Sequence, residues 1–203
     1  MKQITTETHP NWYHDIPQMD ILILGSFPPH ESKRKYEFYY TNTQNRFWRI
    51  LSEIAGLPLG KYENFAPELV KERHRIMEAL NVGVQNMGYI IERKGLRALD
   101  TDIEIMQYHN IISIIKKHLE LKRIVLPGYS APNSTLRSYL KYLIENGIST
   151  PEIKNPKGGI TKFVIQIDNR TLECIVVNST STAAKLKYEV VLNQFQIALK
   201  LNM

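Results

Sequence analysis

The chain has 203 residues, of which 43% are apolar, enough to fill one hydrophobic core, so a single domain spanning residues 1–203 is predicted. No stretch approaches the roughly 20 apolar residues of a membrane span, and residues 1–20 hold no apolar run suited to a secretory signal. The single cysteine, Cys174, excludes an internal disulfide and a four-thiolate iron–sulfur cluster, and a cytoplasmic protein is expected. The formal net charge of +6 favours an anionic partner such as nucleic acid.

The first predicted unit is a strand, a long loop and a helix. Residues 21–24 read ILIL and end at Gly25, a pattern typical of a strand buried on both faces of a parallel sheet. The loop at 26–43 is rich in aromatic residues and charges. Apolar residues then recur at helical spacing from 47 to 55, until Gly56 ends the pattern.

The remaining elements alternate in the same way along the chain. Helices are predicted at 67–80, around Ile111, Ile112, Ile115 and Leu119, at about 134–145 and at 190–199, and strands at 82–85, 124–126, 162–167 and 172–177. This alternation predicts an α/β fold, a three-layer αβα domain with a mostly parallel central sheet. Ligands bind such sheets at the carboxyl ends of the strands, so we expect the site in the loops after residues 24, 85, 126 and 177.

Residues 21–50, reading ILILGSFPPHESKRKYEFYYTNTQNRFWRI, resemble the first motif region of mismatch-specific uracil and thymine glycosylases and of hypoxanthine-DNA glycosylases. These branches of the uracil-DNA glycosylase superfamily carry an apolar strand, a G-x-x-P turn, an aromatic residue and an N-x-F-W segment that opens a helix. The turn is similar to residues 25–28, the aromatic residue to Tyr40 and the helix opening to residues 45–48. The resemblance implies a uracil-DNA glycosylase-like fold and a monomeric DNA repair enzyme, without metal or cofactor, that hydrolyses the N-glycosidic bond of hypoxanthine or uracil in DNA.

The chain departs from the resembling families in three places. The turn position that holds a water-positioning asparagine in mismatch-specific enzymes is Phe27, which points to the hypoxanthine-type branch. In the middle segment, similar over residues 80–103, the usual Trp-Asp pair is replaced by Gln85 and Asn86. In the late segment at 177–181, the usual proline is replaced by Asn178.

The same resemblance assigns roles in base binding and catalysis. Gly25 permits close approach, Pro28 stiffens the turn, and the backbone N–H groups of Ser26 and Phe27 would face the carbonyls of the base. Tyr40 would stack on a base flipped out of the duplex. The alternatives are that Tyr40 packs the loop against the sheet and that Tyr39 is the stacking residue.

Asn45 is the predicted catalytic residue, since an amide can orient water or read the edge of a base. An asparagine just before an apolar helical run is also a common helix N-cap, so both interpretations stay open. Asn42 is a weaker candidate in the same loop, and His30 a remote candidate for an acid near the leaving base.

Ser179, Thr180 and Ser181 end a strand and precede a helix, where hydroxyls and exposed N–H groups could bind a DNA phosphate. They could equally be ordinary helix caps. Lys185 would add nonspecific attraction to DNA. The six histidines show no paired spacing typical of zinc, so no metal is expected.

Two other functions remain consistent with the sequence. One is a catalytically weak or inactive nucleic-acid-binding protein with the same fold, which Phe27, Asn178 and the replacement of the Trp-Asp pair by Gln85 and Asn86 keep open. The other is an α/β enzyme acting on small nucleosides, which would show no salt-sensitive DNA binding.

Overall fold

The computed structural model describes residues 4–42, 44–60, 66–96, 99–153 and 159–200. The strands are β1 (Ile4–Thr8), β2 (Ile21–Gly25), β3 (Val82–Asn86), β4 (Gly88–Lys94), β5 (Ile103–Tyr108), β6 (Arg123–Pro127), β7 (Thr161–Ile167) and β8 (Arg170–Val177). The α-helices are α1 (Phe47–Ala55), α2 (Ala66–Ala79), α3 (Ile111–Lys117), α4 (Thr135–Glu145) and α5 (Tyr188–Leu199). Short 3-10 helices lie at Glu31–Lys33, Asp100–Asp102 and Thr182–Ala184.

A five-stranded sheet in the order β3-β2-β6-β8-β7 forms the centre of the fold. The first four strands are parallel, and β7 pairs antiparallel with β8 at one edge. Every residue of β2, β3 and β6 is buried, as expected for strands covered on both faces. The prediction of a mostly parallel central sheet is therefore confirmed.

Helices cover the sheet in two layers. Helix α1 contacts both α2 and α5, and α5 packs along β8. Helix α4 packs on β6, and its Tyr142 hydroxyl accepts a hydrogen bond of 3.1 Å from the N–H of Ile112 in α3. The predicted three-layer αβα architecture is confirmed. In the described part of the chain, no helix has both the length and the apolar character needed to cross a membrane.

The predicted helix boundaries hold closely, with one exception at α3. Gly56 ends α1 with a left-handed backbone, φ 65°, that glycine adopts without strain. Helix α3 ends at Lys117, so the prediction that Leu119 belongs to its apolar face is wrong. The chain turns away after His118, and the Leu119 side chain is 75% exposed.

A second, antiparallel sheet in the order β1-β4-β5 was not predicted from the sequence. Its strands bury few side chains, and β4 buries only Gly88, Ile91 and Arg93, which hides the alternation that marks a strand. The chain segment between β4 and β5 carries the 3-10 helix Asp100–Asp102 to the carboxyl end of the central sheet. This small sheet therefore contributes to the site described next.

Candidate active site

A cavity of about 400 Å³ opens at the carboxyl ends of the parallel strands. Its walls come from the loops after β2, β3, β6 and β8, together with the segment that precedes β5. The strand order reverses between β2 and β6, and such switch points are the usual ligand sites of open α/β sheets. The volume lies in the range of roughly 300–1,000 Å³ that is typical of small-molecule sites.

Gly25 lines the cavity, and two polar side chains lie where a side chain at this position would be. A Cβ atom at this position would lie 2.8 Å from the Tyr40 hydroxyl and would also collide with the Asn86 carboxamide. Any larger residue would displace one of these groups. Gly25 thus permits a close approach between two side chains and the end of β2, and the predicted approach of a base to this turn stays a prediction.

The turn after Gly25 presents unpaired backbone donors. The N–H groups of Ser26 and Phe27 have no hydrogen-bond partner among the described residues. The turn itself is held by its carbonyls, since Gly25 O accepts from Met87 N at 2.8 Å and Ser26 O from Gly88 N at 3.0 Å. Two N–H groups at the mouth of a cavity can stabilise a developing negative charge.

A buried arginine fixes the other end of the same turn. Arg93 is 1% exposed, and its Nη2 donates a 2.8 Å hydrogen bond to the carbonyl of Pro28. Its Nε and Nη2 also donate to the two carboxylate oxygens of Glu7, at 2.6 and 3.2 Å. The Arg93 guanidinium lies 5.7 Å from the centre of the Phe27 ring. Arg93 was not predicted as a residue of the site, because no pattern within β4 indicates its contact with Pro28.

Tyr40 lies in the cavity wall with its ring stacked on Phe47, the ring centres being 3.9 Å apart and the planes inclined by 20°. Its backbone has a positive φ of 53°, which is unusual for a tyrosine. Burial raises the pKa of the Tyr40 hydroxyl, with a smaller contribution from Asp100. The neighbouring Tyr39 is buried and donates to Gln85 Oε1 at 3.0 Å, so Tyr39 does not line the cavity.

Asn45 lines the cavity, and the N-cap of α1 is Arg46, so the alternative that Asn45 is itself the N-cap is wrong. Its Oδ1 accepts a 2.9 Å hydrogen bond from the N–H of Phe47 and another of 2.9 Å from the hydroxyl of Thr180. The backbone donor identifies this atom as the oxygen, because an amide nitrogen could not accept the bond. Both oxygen lone pairs are therefore used, whereas Nδ2 has no partner among the described residues. Asn42 is exposed, and its Oδ1 accepts from Gln44 N at 2.9 Å.

Ser179, Thr180 and Ser181 all line the cavity, and Thr180 is the buried one of the three. Thr180 is 1% exposed, and its hydroxyl positions Asn45 instead of facing solvent. Ser179 Oγ accepts from Ser181 N at 3.2 Å, and Ser181 Oγ accepts from Ala183 N at 3.3 Å. The helix that follows is the three-residue 3-10 helix, and α5 begins only at residue 188, so no long helix directs its first N–H groups at this loop.

Arg46, just before α1, binds the loop after β8 (residues 178–187), a contact that was not predicted from the sequence. Its guanidinium donates to three backbone carbonyls, those of Thr180 at 3.3 Å, Ser181 at 3.2 Å and Leu186 at 2.7 Å. Its own N–H donates to Thr180 O at 3.2 Å. These bonds hold Asn45 next to the Ser179–Ser181 segment, and both line the same cavity. Lys185 is exposed just after the 3-10 helix.

Asn86 ends β3 in the cavity wall and is oriented by a buried histidine. His9 Nδ1 lies 2.6 Å from the carbonyl of Pro10 and must donate to it, so His9 Nε2 accepts from Asn86 Nδ2 at 3.0 Å. Burial lowers the pKa of His9 to about 3, with a smaller contribution from His109, so the ring is neutral near neutral pH. The Asn86 oxygen is consequently directed toward Gly25. The sequence signals for this residue were its place after a predicted strand and its membership of the pair that replaces the usual Trp-Asp pair of the resembling families.

Asp100 brings a carboxylate into the cavity, and it too was absent from the sequence predictions. Its Oδ1 accepts a hydrogen bond of 2.5 Å from the hydroxyl of Ser26. Burial raises the pKa of the Asp100 carboxyl, and the Ser26 bond opposes part of that rise. Asp100 is distant in sequence from the first motif region, so only the folded chain reveals their contact.

Other histidines and acids take no part in the cavity. His30 bonds Ser32 at the surface and does not line it. Among the described residues, no group of three or more His, Cys, Asp or Glu side chains is arranged to hold a metal ion. Cys174 is fully buried in β8.

Comparison with known proteins shows the fold. No protein-family model matches the chain, and no curated protein is similar to it in sequence. The chain is similar in structure to a proposed uracil DNA glycosylase from Methanosarcina acetivorans, solved by solution NMR, with a TM-score of 0.57 and 21% sequence identity over 90% of each chain. At this identity, the likeness shows a shared fold.

Proposed function

We propose that the protein is a monofunctional DNA repair glycosylase, which hydrolyses the N-glycosidic bond of a deaminated base, hypoxanthine or uracil, in DNA. One observation carries the proposal: the N–H groups of Ser26 and Phe27 share a base-sized cavity with Tyr40 and with the amide nitrogen of Asn45. None of these donors has a partner among the described residues. The Methanosarcina protein of the same fold, named as a proposed uracil DNA glycosylase, supports the same reading.

The reaction needs a flipped base, a pocket that holds it and stabilisation of the charge that develops on the leaving base. In the proposed complex, the N–H groups of Ser26 and Phe27 donate to the base carbonyl, where that charge accumulates. The Asn86 oxygen accepts from an N–H on the edge of the base, and the ring of Tyr40 contacts its face. Asn45 Nδ2 donates to the attacking water and fixes its position.

DNA binding is proposed for the rim of the cavity. The loop after β8 carries the hydroxyls of Ser179 and Ser181 and the ammonium group of Lys185. In the proposed complex, a phosphate beside the flipped nucleotide passes this loop. The net charge of +6 adds nonspecific attraction to DNA, which should weaken as salt rises.

Single-turnover base release tests this function, using labelled duplexes that contain uracil, hypoxanthine, xanthine or mismatched thymine. The informative variant is Asn45→Asp, because its carboxylate still accepts from Phe47 N and Thr180 while the Nδ2 donor is lost. We expect wild type to release at least one base and Asn45→Asp to be slower by about 100-fold. Asn193→Asp, on the exposed face of α5, makes the same charge change and should keep the wild-type rate.

A nucleic-acid-binding protein without catalysis is the competing function, favoured by the Asn45 oxygen being fully used in accepting from Phe47 N and from the Thr180 hydroxyl. Salt-dependent DNA binding by wild type, with no release of any base, would select this alternative. If wild type neither binds DNA nor releases a base, an enzyme acting on small nucleosides becomes the function to test.

A further inference from the structure

We infer that Asp100 is the catalytic carboxylate that takes the proton from the attacking water in this cavity. The inference rests on the proposed glycosylase function and adds to it a residue from outside the first motif region. Asp100 reaches the cavity on the short 3-10 helix that precedes β5, and it faces the turn after β2.

Asn45 cannot take the proton from the attacking water by itself. Its Oδ1 already accepts from Phe47 N and from the Thr180 hydroxyl, so the water can only receive a hydrogen bond from Nδ2. An amide is also no base at neutral pH, whereas water attacking a sugar carbon must lose a proton. The site therefore needs a second group that accepts from the water.

Asp100 lies in the cavity wall, beside the turn after β2. It is the one carboxylate among the described residues that line the cavity. Ser26 donates to Oδ1 at 2.5 Å, and no described residue donates to Oδ2. One carboxylate oxygen is thus anchored by Ser26, and the other has no donor among the residues that the structure describes.

The proposed hydrolysis breaks one bond, forms one bond and transfers one proton. The bond between C1′ and the base nitrogen breaks, and both electrons leave with the base, held as an anion by the N–H groups of Ser26 and Phe27. The water oxygen forms a bond to C1′, and its proton passes to Oδ2 of Asp100. Release of that proton to solvent or to the departing base restores the carboxylate, leaving a free base and an abasic sugar.

The surroundings of Asp100 suit a base. Burial disfavours its charged form and raises the pKa, which increases its basicity, while the Ser26 bond limits that rise. Among the described residues, the titratable group that faces it is Tyr40, whose own pKa is raised in part by the Asp100 charge. Tyr40 stays neutral near neutral pH, so it brings no competing charge.

The test compares wild type with Asp100→Asn, on the substrate that wild type cleaves. Asparagine keeps an oxygen that can accept from Ser26 but cannot take a proton. We expect the single-turnover rate to fall about 100-fold or more, while the affinity for a duplex with a non-cleavable 2′-fluoro nucleotide stays within about threefold. Asp168→Asn, in the exposed turn between β7 and β8, makes the same charge change and should leave the rate unaltered.

A pH profile separates catalysis from a role in holding the loop. The wild-type rate should rise with pH as Asp100 loses its proton, and this rise should be absent in Asp100→Asn. Ser26→Ala removes a bond that lowers the Asp100 pKa, so the rise should move to higher pH. This shift decides the matter if circular dichroism shows that Asp100→Asn does not fold.

Three results would overturn the inference: an Asp100→Asn rate close to that of wild type, a pH-dependent rise that persists in this variant, or an unmoved rise in Ser26→Ala. In each, wild type still releases base and the glycosylase function stands. If wild type releases no base from any duplex, the proposed function fails and this inference falls with it.

Discussion

Replacing Arg93 by methionine should destabilise the fold and slow base release together. The Arg93 side chain is 1% exposed and binds both carboxylate oxygens of Glu7 as well as the carbonyl of Pro28. Methionine fills a similar length without any donor. The variant therefore leaves a carboxylate without its partner and frees the end of the turn that carries the Ser26 and Phe27 N–H groups.

The magnitude follows from the burial of the pair. Removing one partner of a buried ion pair typically destabilises a protein by about 3–5 kcal/mol. The Glu7 side chain keeps 15% exposure and can gain some hydration, so we expect a loss near the lower end, about 3 kcal/mol. The double variant Glu7→Gln/Arg93→Met should lose less than the sum of the single variants, because the unpaired charge is gone.

Urea unfolding at neutral pH measures these losses, and single-turnover base release measures the effect on the turn. Arg75→Met, on the exposed face of α2, is the matched control and should alter stability by no more than about 0.5 kcal/mol. If Arg93→Met unfolds at the same urea concentration as Arg75→Met, the ion pair does not stabilise the fold and the reasoning is refuted.

Three further predictions concern the cavity and its support. Gly25→Ala should destabilise by about 1–3 kcal/mol and abolish base release, since its Cβ would lie 2.8 Å from the Tyr40 hydroxyl; a crystal structure with Tyr40 unmoved would contradict this. Thr180→Val should lower stability by about 1 kcal/mol and slow base release by loosening Asn45, and equal rates in both proteins would argue against the contact. His9 has a pKa of about 3 when folded against its ordinary 6.5, so protons favour the unfolded chain between these values and stability falls as pH falls. Between pH 7 and 5.5, wild type should lose about 1 kcal/mol more than His9→Gln in urea unfolding, and parallel losses would show that the ring is not buried neutral.

The central sheet could be predicted from local patterns alone. The apolar run of β2 is continuous, and a strand buried on both faces has no polar side to interrupt it. Helix α1 could be predicted from the helical spacing of its apolar residues and from the glycine that ends it. The antiparallel sheet was not predicted, because β1 is only partly buried and β4 buries an arginine, so neither strand shows an apolar alternation.

The sequence by itself determined the αβα class and the loops that form the cavity, because these depend on the alternation of strands and helices along the chain. Gly25, Tyr40 and Asn45 were assigned through the resemblance of residues 21–50 to a known motif region, and all three line the cavity. Only the tertiary structure decided how Asn45 is used and which acid lies nearby. The Thr180 hydroxyl that occupies the Asn45 oxygen and the Asp100 carboxylate on Ser26 come from parts of the chain far away in sequence. Local patterns record which residues can form an element, whereas hydrogen bonds between loops depend on how those elements are brought together.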